Sequence, residues 1–286
     1  MKPYITLLRP RHWIKNLFLF IPIFFAGHFF DTEKIVEVLL GFVAFSIIAS
    51  GVYVLNDVKD YKEDRLHQFK KFRPIASGEV SISKAVVLCI LLFVTGSFLS
   101  YTLDFQFFIF IGLYFAINLT YSFGLKNIPI LDLFFVASGF IIRVLSGGEL
   151  ANVEISQWLI IMVMLLSLFL VLGKRMDDLV LSENKLNIRK SSSKYSIEFV
   201  QSCLTMLSAI AVVAYLMYTL SDDVTNRLGT NHLYLTSAFV IAGVMRYLQI
   251  AIVEKDSGSP TDTLFKDKFI IVTLTLWILS FFLIIY

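Results

Sequence analysis

Apolar stretches, each of about 17 to 25 residues and so long enough to cross a hydrocarbon core, alternate with short polar breaks along the whole chain. They fall at 13–30, 36–56, 84–102, 105–122, 128–146, 155–173, 197–220, 232–252 and 269–286. The pattern predicts an all-α, polytopic membrane protein of nine transmembrane helices, forming a single domain over 1–286. A turn around Asp104 divides the third stretch from the fourth, and SFGLKN before Pro129 divides the fourth from the fifth.

Composition supports that reading, because 57% of the 286 residues are apolar and only 16% are charged, more apolar sequence than a soluble core uses. The start, MKPYITLLRPRHWIKNLFLF, runs into an apolar span without a small-residue cleavage site, so the first helix is expected to be kept. Cys89 and Cys203 lie inside apolar spans, where a thiol behaves as a small hydrophobe, and no redox role is expected of them. A nucleic-acid partner is not expected either.

Charge placement orients the chain. Of its 25 Lys and Arg, only Lys34, Arg143 and Arg227 fall opposite the remainder, so the positive-inside rule puts the N-terminus in the cytoplasm and Tyr286 outside. A multi-pass protein of the inner, cytoplasmic membrane is expected, with its chemistry facing the cytoplasm. Polar residues concentrate in two loops on that side, 56–83 and 173–196. Shorter polar loops follow the fourth stretch (YSFGLKN) and the eighth (VEKDSGSPTDTLFKDK), an alternation that points to duplication of a four-helix unit.

The most telling break is LNDVKDYKEDRLH, residues 55–67. On a helix, Asp57, Asp60 and Asp64 share one face, with Asn56 beside them. Like charges so spaced repel unless a cation sits among them, and a few hard oxygen ligands are what Mg²⁺ uses to grip a polyphosphate. The plain alternative is a solvated loop pairing its acids with Lys59, Lys62 and Arg65. Position argues against it, since a carboxylate cluster abutting an apolar span is costly. Lys70, Lys71 and Arg73 follow, and Pro74 restricts Arg73 to an extended or turn conformation. Cations interleaved with acids in this way suit phosphate recognition better than anchoring to lipid headgroups.

These residues carry a resemblance. NDVKDYKED followed by RPIASGEVS resembles the first aspartate-rich motif, NDxxDxxxD, of the UbiA superfamily of intramembrane prenyltransferases, and the likeness covers essentially the whole chain. LRPRHWIKNLFLFIPIFFAG, YSFGLKNIPILDLFFVASGFIIRVLSGG, LGKRMDDL, MRYLQI and SPTDTLFKD are similar to the superfamily's decaprenyl-phosphate phosphoribosyltransferase branch. The resemblance implies a UbiA-type bundle and transfer of 5-phosphoribose from phosphoribosyl diphosphate (PRPP) to a polyprenyl phosphate, with release of pyrophosphate. It implies Mg²⁺ held by Asn56, Asp57, Asp60 and Asp64, the three aspartates being catalytic. Where prenyltransferases of the superfamily carry a second DxxxD, this chain reads Lys174, Arg175, Met176, Asp177, Asp178, resembling the KRxxE of the phosphoribosyl branch. Gln68 stands where the branch has proline, and Asp178 where it has glutamate.

The candidate substrate-binding residues are therefore Asn56, Lys70, Arg73, Lys126, Lys174, Arg175 and Asp178, with Lys15 and Asn16 placed to meet a lipid phosphate at the membrane surface. Replacing carboxylates by Lys and Arg exchanges a metal-bridged phosphate contact for a direct cationic one. Arg143, inside a span, needs a partner, for which Glu149 or Glu154 is expected. A homo-oligomer is compatible with the sequence. The rival enzyme is an aromatic prenyltransferase joining a prenyl diphosphate to an acceptor such as 4-hydroxybenzoate, and it requires the second DxxxD that 174–178 lacks. A transporter would place ionisable residues midway along the spans, whereas these cluster at span ends.

Overall fold

The structure, a computed structural model, describes residues 2–67, 69–183, 195–254, 263 and 266–286, with the side chains of 181–183 outside the description. Among the described residues there is no strand. The helices are α1 (Lys2–Leu8), α2 (Ile21–Phe25), α3 (Thr32–Leu66), α4 (Ile82–Leu103), α5 (Phe105–Ser122), α6 (Leu131–Leu150), α7 (Gln157–Glu183), α8 (Ile197–Leu220), α9 (Asp222–Leu228), α10 (Ser237–Leu248) and α11 (Lys268–Ile285). A π-helical turn, Gln249–Glu254, continues α10.

Eight of the described helices are long and apolar enough to cross a membrane, against the nine expected. The first predicted stretch differs. Residues Pro10–Phe20 wind as a 3-10 helix and pass into the short α2, where Pro22 sits in the first turn and Gly27, at φ 78°, follows the end. At about 2.0 Å per residue for the 3-10 part and about 1.5 Å for α2, such a segment still extends roughly 30 Å.

Two predicted loops are shorter than expected because their first residues belong to helices. With 35 residues α3 extends over about 52 Å, well beyond a hydrocarbon core of about 30 Å, so its last turns stand clear of lipid and carry the acidic motif. Asp31 caps its start by accepting from the Lys34 amide. Likewise α7 runs on to Glu183, so Lys174–Asp178 are helical and the second loop proper begins later. Gln68 and most of SPTDTLFKD lie outside the described residues.

Two compact units divide the chain: Met1–Gly124 with Ile142–Glu154, and Leu125–Ile141 with Ile155–Tyr286. The first is cored by Leu19, Val38, Phe45, Ile48, Phe107 and Tyr114, the second by Leu133, Leu168, Phe169, Met176, Leu204 and Tyr247. Close approach is built in at Gly147, where any Cβ would strike the backbone of Leu19. Between α4 and α5 one residue turns the chain: Asp104 ends α4 and its carboxylate accepts from the Phe107 amide at 2.6 Å. The long apolar side chains left exposed on α4, among them Val87, Ile90, Leu91, Val94 and Phe98, form the surface a lipid-facing helix presents.

Candidate active site

In the first unit the motif folds as its spacing predicts, onto one side of the last turns of α3. Asp57 and Asp64 are buried, and one guanidinium nitrogen of Arg73 donates to both, at 3.1 Å to Asp57 Oδ1 and 2.7 Å to Asp64 Oδ2. Asp60 lies between them in sequence and is half-buried. Arg73 reaches back because its own backbone is extended ahead of Pro74, as the sequence implies, and because Arg65 Nε ties the end of α3 to the Ala76 carbonyl at 3.1 Å. His67 closes the turn, its Nδ1 accepting from the Phe69 and Lys70 amides. Desolvation, with the Lys70 charge adding, holds the His67 imidazole below its usual pKa, which preserves that acceptor.

Arg9, one of the basic residues ahead of the first apolar stretch, is the second guanidinium on Asp57: its Nη2 donates to Oδ1 at 2.5 Å and its Cζ lies 5.0 Å from the Tyr53 ring centroid. Its backbone is left-handed, at φ 51°, uncommon for a residue with a Cβ and doubly so before proline. The only sequence signal was an arginine before a proline close to the start of an apolar stretch. Asn56 is held as well, since its Oδ1 accepts from Ser122 Oγ at 2.5 Å, while Lys59 donates to the Ser122 carbonyl and lies over the Phe123 ring.

Among the described residues no group of three or more His, Cys, Asp or Glu is assembled closely enough to hold a metal. The donor chemistry nevertheless fits one. Two carboxylates converge on the single point taken by an Arg73 nitrogen, a position for positive charge that a hard cation suits equally well. Lys70 and Lys71 are exposed alongside.

Asn16 requires a correction. It was expected to meet a lipid phosphate at the membrane surface, but it is 1% exposed, its Nδ2 donating to Ser46 Oγ at 2.9 Å and its Oδ1 accepting from Arg143 Nε at 2.8 Å. The 3-10 winding of 10–20 turns it inward, while neighbouring Lys15 stays half-buried. Arg143 was expected near the outer surface, facing Glu149 or Glu154. It is a core residue rather than a surface one, its Nη2 at 3.2 Å from the Tyr114 hydroxyl and its guanidinium over the Phe45 and Tyr114 rings at 4.8 and 4.9 Å.

The second unit has its own charged cluster, on the last turns of α7. Arg175, 2% exposed, donates to Asp132 Oδ2 at 2.7 Å and to Asp178 Oδ2 at 3.0 Å. Asp132 is wholly buried at the start of α6, and its other oxygen accepts from the Tyr195 hydroxyl at 3.1 Å. Lys174, one residue earlier on the helix, is exposed, and Lys126 is half-buried in the turn before α6. The basic pair therefore divides: Arg175 turns inward, toward Asp132, and Lys174 outward. Farther along, Arg246 donates to Asp267 Oδ2 at 2.7 Å, to Glu254 at 2.6 Å and to Gln249 at 2.8 Å, gathering the π-turn and the start of α11. The Arg246 hydrogen bond, with the Ile270 amide adding, holds the Asp267 carboxyl below its usual pKa.

Solved structures share this architecture. A UbiA homologue from Archaeoglobus fulgidus bound to GPP and Mg²⁺ superposes with a TM-score of 0.74 over 99% of each chain, at 21% identity. A homologue from Aeropyrum pernix K1 gives 0.69, covering 94% of this chain and 98% of that one, at 16% identity. The fold is thus that of the intramembrane UbiA bundle. The sequence carries the assignment further, for residues 17–271 match the model of the UbiA prenyltransferase family, and the chain belongs to that family. It is 34% identical over 285 residues to the decaprenyl-phosphate phosphoribosyltransferase of Mycolicibacterium smegmatis, covering 96% of this chain and 89% of that one. To the enzyme of the same name from Corynebacterium glutamicum it is 32% identical over 289 residues, covering 99% and 86%.

Proposed function

We propose that this protein transfers 5-phosphoribose from PRPP to a polyprenyl phosphate of the decaprenyl type, releasing pyrophosphate, for cell-envelope polysaccharide synthesis. What carries the reading is full-length similarity, at 34% identity, to an enzyme of that name. The second cluster supports it: Lys174 and Arg175 occupy the helix end where a prenyl-diphosphate enzyme needs a second DxxxD.

Asn56, Asp57, Asp60 and Asp64 would hold Mg²⁺, which when bound withdraws negative charge from the departing pyrophosphate. Arg73, already between Asp57 and Asp64, keeps the two carboxylates together before substrate arrives and lies on hand for phosphate afterwards. Lys70, exposed in the turn after α3, and Lys174, exposed on α7, would supply further phosphate contacts, as would Lys126 in the turn before α6. The acceptor phosphate is anionic near neutral pH, so no strong general base is required. Cleavage at the anomeric carbon of an oxocarbenium-like ribosyl group then depends on orientation and charge.

Counting the 3-10 and α2 segment as a crossing brings the total to nine. The positive-inside rule then sets the N-terminus and both charged helix ends in the cytoplasm, where PRPP is soluble, and the protein in the inner membrane. A homo-oligomer is compatible with the exposed apolar helices. The test uses purified full-length protein with Mg²⁺, labelled PRPP and polyprenyl phosphate. Label should enter the lipid extract as pyrophosphate is released. Transfer of a prenyl diphosphate to 4-hydroxybenzoate, with PRPP inert, would replace this reading with the aromatic one.

A further inference from the structure

The turn that carries Lys126 into α6 is conformationally unfavourable taken alone. Ile130 has φ 68°, in the left-handed region, where a β-branched residue is an outlier and persists only if its surroundings impose it. Its amide donates to the Tyr195 hydroxyl at 2.5 Å. That hydroxyl in turn donates to Asp132 Oδ1 at 3.1 Å, and the other oxygen of Asp132 takes Arg175 Nη2 at 2.7 Å. Burial, with the Asp132 charge adding, pushes the Tyr195 phenol above its usual pKa, so the proton it donates stays in place at neutral pH. One phenol thus joins three separate pieces of chain: the turn before α6, the end of α7 and the entry to α8.

We infer that Tyr195 is a positioning residue for donor binding, which holds the Lys126 turn in its left-handed conformation and, through Asp132 and Arg175, in register with Lys174 on α7. The inference rests on the phosphoribosyl-transfer reading, since it assigns Lys126 and Lys174 to the phosphates of PRPP. Each lysine sits on a flexible four-carbon stem, so where its ammonium can reach is set by the backbone that carries it. Arg175 cannot serve as both scaffold and ligand while its guanidinium lies between Asp132 and Asp178.

Tyr195→Phe is the test, because it keeps the ring stacked on Phe199, 6.0 Å between centroids, and removes only the hydroxyl. The KM for PRPP should rise about tenfold while kcat and the KM for polyprenyl phosphate change less than about twofold, the signature of lost ground-state binding of one substrate. Hydrogen exchange at the Ile130 amide should speed up in the same variant. Adding Ile130→Gly, which adopts a left-handed backbone without penalty, should recover most of the PRPP affinity. An unchanged KM for PRPP in Tyr195→Phe overturns the inference. So does a parallel loss of affinity for both substrates with a lowered Tm, which would mark general damage. Wild-type protein that transfers no phosphoribose would defeat the functional reading instead, and Ile130 amide protection would still report whether the latch exists.

Discussion

Arg143 Nε donates to Asn16 Oδ1 at 2.8 Å across 127 positions of sequence, fastening the middle of α6 to the 3-10 segment near the N-terminus. The amide then passes the contact to Ser46 on α3, so three elements of the first unit share one buried polar chain. Asn16→Leu takes the acceptor from Arg143 Nε and the donor from the Ser46 hydroxyl, both buried, which should cost about 1–3 kcal/mol. Ser46→Ala removes only the end of the chain and should cost less. Thermal unfolding in detergent checks the order; equal effects would mean that the chain contributes no stability as a unit.

At the acidic end of α3, Arg73 supplies the positive charge that Asp57 and Asp64 need. Asp57→Asn and Asp64→Asn should each lower kcat about 100-fold or more at saturating Mg²⁺, because the diphosphate then leaves without its charge partner. Arg73→Ala removes the cation shared by the two buried carboxylates and leaves Arg9 on Asp57 alone. Ligand binding stabilises in proportion to its preference for the folded form, so the rise in Tm on adding Mg²⁺ should be larger in Arg73→Ala than in wild type. A rise of the same size in both would place the ion elsewhere.

How much of this was legible in the sequence differs between fold and site. Helix type and most boundaries follow from long apolar runs, and the single face of Asp57, Asp60 and Asp64 follows from a period of 3.6 residues. The first apolar stretch was misread because apolar content does not distinguish α from 3-10 winding. Asn16 was placed at the surface because it lies at the start of that stretch, and its burial comes from distant partners, Ser46 and Arg143, that no local pattern marks. Arg9 and Tyr195 were missed because each gains its role from a distant partner, 48 residues away for Arg9 and 63 for Tyr195, and nothing local marks them. Pro74, by contrast, correctly signalled the extended Arg73, as a local steric rule should.

Lys174 and Arg175 are adjacent in sequence but should behave oppositely on substitution. Arg175→Ala strands the fully buried Asp132 carboxylate and should cost about 3–5 kcal/mol in stability. Lys174→Ala, on an exposed face, should change stability by less than about 0.5 kcal/mol and act on the KM for PRPP. Comparison of unfolding midpoints with PRPP titrations separates the two. A large stability loss for Lys174→Ala would show that this lysine, too, is part of the scaffold.

Asp267 ties pH to the start of α11. Its carboxylate accepts from Arg246 and, at 2.9 Å, from the Ile270 amide as the helix cap, and these hydrogen bonds depress its folded pKa. A depressed carboxyl stabilises the fold fully above its unfolded pKa of about 4, and the contribution disappears as pH falls through the lower folded value. Asp267→Asn keeps a capping oxygen but has no titrating group and no ion pair. The variant should therefore melt below wild type at neutral pH, and the gap should close on acidification to pH values below about 4, as the wild-type carboxylate takes up its proton. Because the Arg246–Asp267 pair is only partly buried and lies at a helix end, the neutral-pH difference should be small and should shrink further in high salt. A gap that persists unchanged at low pH would assign the effect to the cap rather than to the charge on Asp267.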